Sequence, residues 1–248
     1  MGVTAVFIDG GYLDKVLYRE HANARIDLEK LSKLMAGADE LLRASYYHCM
    51  PYQGNPPTVE ESARYASRHR FTTRLSLLPR FEVRLGRLVC RGIDKNTGER
   101  IFQQKRVDCM IGVDMAILAG KGKITNAALL TGDSDLMPAV ESVKREGVLT
   151  TLWHGGINPE NRPSAELYAL VDERTQLTTT MVQAILLQRI PARAHDRTSS
   201  YSGTTLSSEL VQRTFQALPG GQGLGQQVAV VVGGPVVEGQ RQRAARCD

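Results

Sequence analysis

Residues 127–147, AALLTGDSDLMPAVESVKREG, decide the fold. A short apolar run ends in Thr131-Gly132, two aspartates follow one residue apart, and an amphipathic stretch begins at once. The run reads as a buried strand, and residues 135–146 read as a helix closed by Gly147. In an open α/β sheet a strand-to-helix turn of this kind lies beyond the carboxyl end of the strand, where ligands collect. Asp133 and Asp135 repel each other there. Two unit charges about 4 Å apart at an effective dielectric near 20 cost about 4 kcal/mol. Something must offset that repulsion.

The flanking sequence repeats the same alternation. VLTTLWH (148–154) reads as a strand and SAELYALVD (164–172) as a short helix. Upstream, Val107, Met110, Ile111, Met115 and Leu118 mark a helix that ends at Gly120 or Gly122. TAVFI (4–8) is a strand stopped by Asp9 and the flexible pair Gly10-Gly11, and a helix through Leu13, Val16 and Leu17 follows. Asp27 caps a second helix carrying Leu28, Leu31, Leu34 and Met35 on one face. ASYYHCM (44–50) is a strand, and residues 51–57 form a loop between two prolines. Thr58 and Glu61 form a capping box for a helix running toward Leu78. Residues 81–104 alternate around the turn-rich DKNTGE (94–99) and read as a hairpin or a strand-loop insertion. Strands alternating with helices predict an α/β fold with a mainly parallel sheet. Asp9 and Asp133 then open into one crevice, despite their separation along the chain.

Composition sets the outer limits. The 248 residues carry a net charge of +5, which permits a polyanionic partner without requiring one. The four cysteines, Cys49, Cys90, Cys109 and Cys247, have no paired spacing, which argues against a disulfide framework or a zinc site and for a reducing, cytoplasmic setting. No apolar run approaches the ~18 residues that span a bilayer, and the N-terminus lacks the basic region of a signal peptide. No membrane partner is expected. Residues 1–178 read as the domain. Residues 179–248 read as a flexible, low-complexity basic tail, with seven arginines against four acids from residue 181 on. VAVVV (228–232) is its one apolar segment, and a tail-mediated protein partner or a homo-oligomer is compatible with this pattern.

Several carboxylates around one crevice have a standard use, which is to hold a hard divalent cation among oxygen ligands. Such an ion offsets the repulsion between Asp133 and Asp135, and it equips the site for phosphoryl chemistry. Asp108 is the third acid, at the start of the helix after the hairpin. Asp114 lies six residues further on, about 240° around that helix, and is a second-tier candidate. Each acid also has a plainer reading: Asp9 as a turn residue, Asp133 as a helix cap, Asp135 as a first-turn acid favoured by the helix dipole.

VFIDGGYL, then QKRVDCMIGVDMAILA, then ALLTGDSDLMPAVESVKREG resemble, in that order, the NYN/LabA-like proteins of the PIN-like nuclease superfamily. PSAELYALVD is similar to the segment that closes that domain. The resemblance covers roughly residues 3–175. It implies a three-layer α/β/α PIN-like fold with an acidic pocket that binds Mg²⁺ or Mn²⁺ and hydrolyses RNA phosphodiesters. It further implies that Asp9, Asp108, Asp133 and Asp135 are the catalytic and metal-binding residues, with Asp114 as a further candidate. Many members place an Asn shortly after the first Asp, where this chain has Gly10-Gly11-Tyr12. LabA-like proteins include regulatory ones, so a catalytically weak or inactive RNA-binding module on the same fold is the alternative.

The substrate side is read from charge. Between Arg64 and Arg91 stand eight arginines and one acid, Glu82. Arginine forks match phosphate geometry, so Arg64, Arg68, Arg70 and Arg74, with Lys105, are candidates for binding nucleic acid, and RNA is the expected partner. Tyr65, His69 and Phe71 are candidate stacking surfaces. Other phosphate chemistries fail on residues. A haloacid-dehalogenase-type site needs an acid where Gly11 stands, a toprim-type site needs Glu where Asp9 stands, and there is neither a dinucleotide fingerprint nor a P-loop.

Overall fold

The computed structural model describes residues 2–187 apart from Asn96 and Glu99. The basic tail and its VAVVV segment lie outside the described residues. Seven strands form one sheet in the order β4-β3-β2-β1-β5-β6-β7. They are β1 (Val3–Asp9), β2 (Glu40–Cys49), β3 (Phe81–Ile93), β4 (Arg100–Lys105), β5 (Asn126–Leu130), β6 (Leu149–His154) and β7 (Glu173–Gln176). All neighbours pair in parallel except β3 and β4, which form an antiparallel hairpin, one of the two arrangements that the sequence left open.

Helices cover both faces, which gives the three layers. On one side lie α1 (Gly10–Glu20), α2 (Leu28–Ala36), the end of α3 (Val59–Ser76) and α7 (Thr179–Ala184). Leu13, Val16, Leu31, Leu75 and Val182 pack there against Val6, Ile8, Tyr46 and Leu130. On the other side α4 (Val107–Gly120), α5 (Met137–Arg145) and α6 (Ala165–Leu170) bring Ile111, Met115, Val140, Val143 and Leu167 onto Phe7, Tyr47 and Leu129. Successive strand residues point to opposite faces, so Phe7 and Ile8, like Tyr46 and Tyr47, divide between the two cores. A fully buried Leu-sized side chain contributes about 1.5–3 kcal/mol, and a buried polar substitution at Val140 removes that and leaves an unpaired group.

Local sequence explains the helix starts. Asp27 Oδ1 accepts the N–H groups of Glu29 and Lys30 at 3.0 and 3.2 Å and starts α2. Both halves of the Thr58–Glu61 capping box are present at α3. The helix expected from residue 135 begins instead as a 3₁₀ turn, Ser134–Leu136, and becomes α-helical at Met137. Pro138 fits there because the first helical turn needs no N–H donor from it. Gly147 closes α5 at φ 76°, a conformation in which a side chain would be strained.

Two elements were not anticipated. β7 is a four-residue edge strand with one half-buried residue, too short to show a period. Past residue 178, where the sequence places the end of the domain, α7 buries Val182, and a bridge joins Leu186 to Ile26. Cys49 and Cys109 are free thiols, and Cys90 is disulfide-bonded, which departs from the expectation of unpaired cysteines. Among the described residues no helix is long and apolar enough to cross a membrane.

Candidate active site

The carboxyl ends of β1 and β5 set the site. Ile8 pairs with Leu130, so Asp9 and Thr131 emerge side by side, and Asp133 follows two residues on. Both aspartates serve first as caps. Asp9 Oδ1 accepts the N–H groups of Gly11 and Tyr12 at 2.9 and 3.1 Å, which starts α1. Asp133 Oδ1 accepts the N–H of Asp135 at 3.0 Å, which starts the 3₁₀ turn. In each case the second carboxylate oxygen takes no part in the cap. A cap of this kind contributes about 1 kcal/mol relative to alanine.

The two turns touch. A Cβ on Gly132 would stand 2.5 Å from Tyr12 Cε2, so only glycine lets the Tyr12 ring lie over the end of β5. The Tyr12 hydroxyl donates to the Asn161 carbonyl and accepts the Gly155 N–H, the latter at 3.0 Å. Burial pushes that hydroxyl up to about 12, so it stays a proton donor at any ordinary pH. Tyr12 thereby ties α1 to the loop after β6.

Asp108 joins from a third direction. Arg106 turns the chain out of β4 in a left-handed conformation, φ 76°, and α4 begins at Val107. Asp108 is half-buried in the first turn. Burial raises its carboxyl above the usual range, and the charges of Asp133 and Asp135 raise it further. Asp9 is also raised, by burial first, against the pull of the Tyr12 and Gly11 N–H groups, and then by the charge of Asp108. Asp108 is therefore linked to all three other acids. Asp133 and Asp135 themselves are exposed. Among the described residues no three His, Cys, Asp or Glu side chains are already gathered as a metal-binding group.

Asp114 is not brought into this group. Its Oδ2 accepts the Tyr47 hydroxyl at 2.8 Å and its Oδ1 the Arg84 guanidinium at 2.7 Å, against β2 and β3. The turn of α4 that separates it from Asp108 is the reason.

The candidate nucleic-acid residues divide. Arg64, Arg70, Arg74 and Lys105 are exposed. Arg68 is half-buried and engaged: its Nη2 donates to Asp14 Oδ2 at 2.9 Å and its Nη1 to the Tyr46 hydroxyl at 3.3 Å. Phe71 meets Tyr46 edge-on at 5.8 Å, which makes it partly a packing residue.

His48 was not found by sequence reasoning. Its Nε2 lies 3.0 Å from Asp14 Oδ2, and its ring stacks on Tyr46. Burial acts to raise Asp14, but the His48 hydrogen bond and the Arg68 charge outweigh it and hold that carboxyl low. A Cβ on Gly10 would fall 2.5 Å from Tyr46 Cζ and 2.7 Å from His48 Cδ2, so the start of α1 rests directly on this network. The available signal was position: His48 lies near the end of a strand adjacent to β1, on the side of the sheet where sites form.

The NYN domain matches this chain over residues 3–176. A solved structure of a protein of unknown function from Vibrio parahaemolyticus is similar in fold, with a TM-score of 0.52 and 18% identity over 75% of this chain and 96% of that one. No match was found among curated proteins.

Proposed function

The chain belongs to the NYN-domain family of PIN-like nucleases, and from that premise we propose that it is a metal-dependent ribonuclease, hydrolysing RNA phosphodiester bonds at the mouth formed by Asp9, Asp108, Asp133 and Asp135. The observation that carries the reading is the linkage of Asp108 to acids on two other elements, with Asp9 and Asp108 both held above their ordinary range. Unrelieved like charge at a strand mouth is unfavourable unless the site has a cationic ligand.

The donor set suits Mg²⁺ or Mn²⁺. All four groups offer hard carboxylate oxygens, and Asp9 and Asp133 each keep one oxygen outside the cap. Mg²⁺ needs only one or two direct carboxylates when water and substrate phosphate supply the rest. In this reading Asp9 and Asp133 hold the ion, and Asp108 and Asp135 complete its shell or orient water. When bound, the ion supplies positive charge against the phosphoryl oxygens and acidifies a water. Arg64, Arg70, Arg74 and Lys105 attract the phosphate backbone toward a mouth whose acids would otherwise repel it. Arg68 is assigned a positioning role through Asp14 and His48.

A second reading, an RNA-binding regulatory module that does not cut, has its own support. Among the described residues no metal-binding group is preassembled, and the Tyr12 hydroxyl, near where many relatives carry Asn, is engaged with Asn161 and Gly155. Purified protein incubated with Mn²⁺ and single-stranded or structured RNA separates the two, beside an Asp133→Asn/Asp135→Asn variant. The nuclease reading expects cleavage that EDTA and the variant both abolish. Metal-independent binding with no cleavage supports the module, and cleavage undiminished in the variant sinks the assignment of the site.

A further inference from the structure

The β3–β4 hairpin does more than close the sheet edge. β3 pairs with β2 only over Phe81–Gly86, whereas Arg87–Ile93 pairs with β4 alone. At about 3.3 Å per residue, that arm projects roughly 20 Å beyond the carboxyl ends of the parallel strands. Its root abuts the site. A Cβ on Gly11, two residues from Asp9, would stand 2.7 Å from Gln104 Nε2. Alternation along β4 places Phe102 and Arg100 on the same face as Gln104, in line and leading outward from the acids.

That face carries an aromatic cluster, its two rings tilted 36° to each other. The Tyr52 and Phe102 ring centroids are 5.0 Å apart, and the Arg100 guanidinium lies 4.8 Å from the Tyr52 centroid. The cluster is held from behind. Glu61 accepts the N–H groups of Gly54 and Thr58 at 3.0 and 2.9 Å and lies 3.8 Å from Arg100. Phe102 nevertheless keeps 38% of its surface open. At the root, Arg87 and Lys105 stand directly opposite each other across the two strands. Like charges in that relation destabilise a ribbon, and neither residue makes an ion pair among the described residues. Alternation puts those two side chains on the ribbon face opposite Phe102, so they bear on a bound strand through charge alone, whereas a base lying along the Phe102 face covers the open ring.

We propose that the Tyr52–Phe102–Arg100 cluster is a platform for an unpaired nucleobase, which makes the protein select single-stranded over duplex nucleic acid. A base inside a duplex has its faces covered by its neighbours and cannot use the platform, whereas every unpaired base presents a π-face. The proposal rests on the nuclease reading of the same mouth, but its test does not depend on cleavage.

The full chain carrying Asp133→Asn/Asp135→Asn is titrated by fluorescence anisotropy into labelled single-stranded RNA, single-stranded DNA of the same sequence, and a blunt duplex. Phe102→Leu is the informative change, because it keeps an apolar side chain on the arm and removes the π-face. It is expected to weaken single-strand binding about tenfold, the scale of one lost base–aromatic stack, to leave duplex binding unchanged, and to be rescued by Phe102→Trp. Wild-type affinity in Phe102→Leu overturns the platform, and so does an equal loss on the duplex. The RNA and DNA arms show which sugar the strand carries. Phe102-dependent binding in a protein that cleaves nothing keeps the platform and sinks the nuclease. Cleavage and binding both indifferent to Phe102→Leu keep the nuclease and sink the platform.

Discussion

Asp108→Asn tests whether the acids at the mouth repel one another as the geometry requires. Two carboxylates about 6 Å apart cost about 0.7 kcal/mol in water and about 3 kcal/mol at an effective dielectric of 20. Asp108 is half-exposed, so solvent screening places its pairs with Asp9, Asp133 and Asp135 toward the lower figure. Together they amount to about 2 kcal/mol. Against that, an acid in the first turn of α4 gains about 0.3–1 kcal/mol from the helix dipole, which asparagine forgoes. Repulsion wins by about 1 kcal/mol, so the variant melts about 2–4 °C above the wild type at pH 7.5 in EDTA, by far-UV circular dichroism. The sign with pH follows from the raised carboxyls. Where the unfolded chain has lost these protons and the folded chain retains them, stability falls as pH rises through the carboxyl range. The advantage of the Asp108→Asn variant is therefore full at neutral pH and disappears as pH falls below the ordinary Asp range, where Asp108 of the wild type is protonated in both states. Mn²⁺ inverts the order: at one hundred times its dissociation constant it stabilises the wild type by about 2.7 kcal/mol and the variant by less. A variant that is less stable than wild type in EDTA at pH 7.5, or that gains as much from Mn²⁺, refutes the reasoning.

Asp114→Ala is expected to behave in the opposite way. It removes the acceptor of the buried Tyr47 hydroxyl and of Arg84 Nη2, leaving the guanidinium only its contact with Glu82 at 3.0 Å, which costs about 2 kcal/mol, while the rise in Tm produced by Mn²⁺ stays at its wild-type size; a reduced Mn²⁺ shift would return Asp114 to the site. Arg64→Gln/Arg70→Gln/Arg74→Gln is expected to weaken RNA binding uniformly across sequences. It should lower the slope of log affinity against log salt by about two, since each phosphate contact on a single strand contributes about 0.7. An unchanged slope means that α3 is a solvated face and nothing more.

What the sequence made legible is what short-range chemistry fixes. Asp27 and the Thr58–Glu61 box announced their helices because a cap is a bond within one turn. β1, β5 and β6 were plain because strands buried on both faces read as apolar runs. β7 and α7 were missed because both are short and are held by partners remote in the chain, Thr151–His154 and the Ile26 bridge. In the site, the acids at strand ends could be picked out, since a strand-to-helix turn specifies its own location. The Asp14–His48–Arg68 network could not, because it joins α1, β2 and α3, and no spacing in the sequence encodes their meeting. Arg68 shows the cost of reading charge alone: it belongs to a positive run, yet it is committed to the carboxylate of Asp14.

The pair of aspartates that first suggested a metal turns out not to be the pair under strain. Asp133 and Asp135 are exposed, water screens them, and the Asp135 N–H is spent on Asp133 Oδ1, so their spacing is a property of the cap as much as of any ligand. The unfavourable charge sits on Asp9 and Asp108, which are more buried and whose carboxyls are both raised. Neither stands beside another acid in sequence; they meet because β1 and α4 open on the same mouth. A helix cap accounts for Asp133 and Asp9 but not for Asp108, which caps no helix, lies half-buried with the charges of three other acids bearing on it, and among the described residues gains no hydrogen-bond partner beyond its own turn. The dipole of α4 offsets only part of the repulsion on that carboxylate, whereas a cation offsets the rest, and for that reason Asp108, rather than the Gly-Asp-Ser-Asp motif, is where the nuclease reading is most exposed to test.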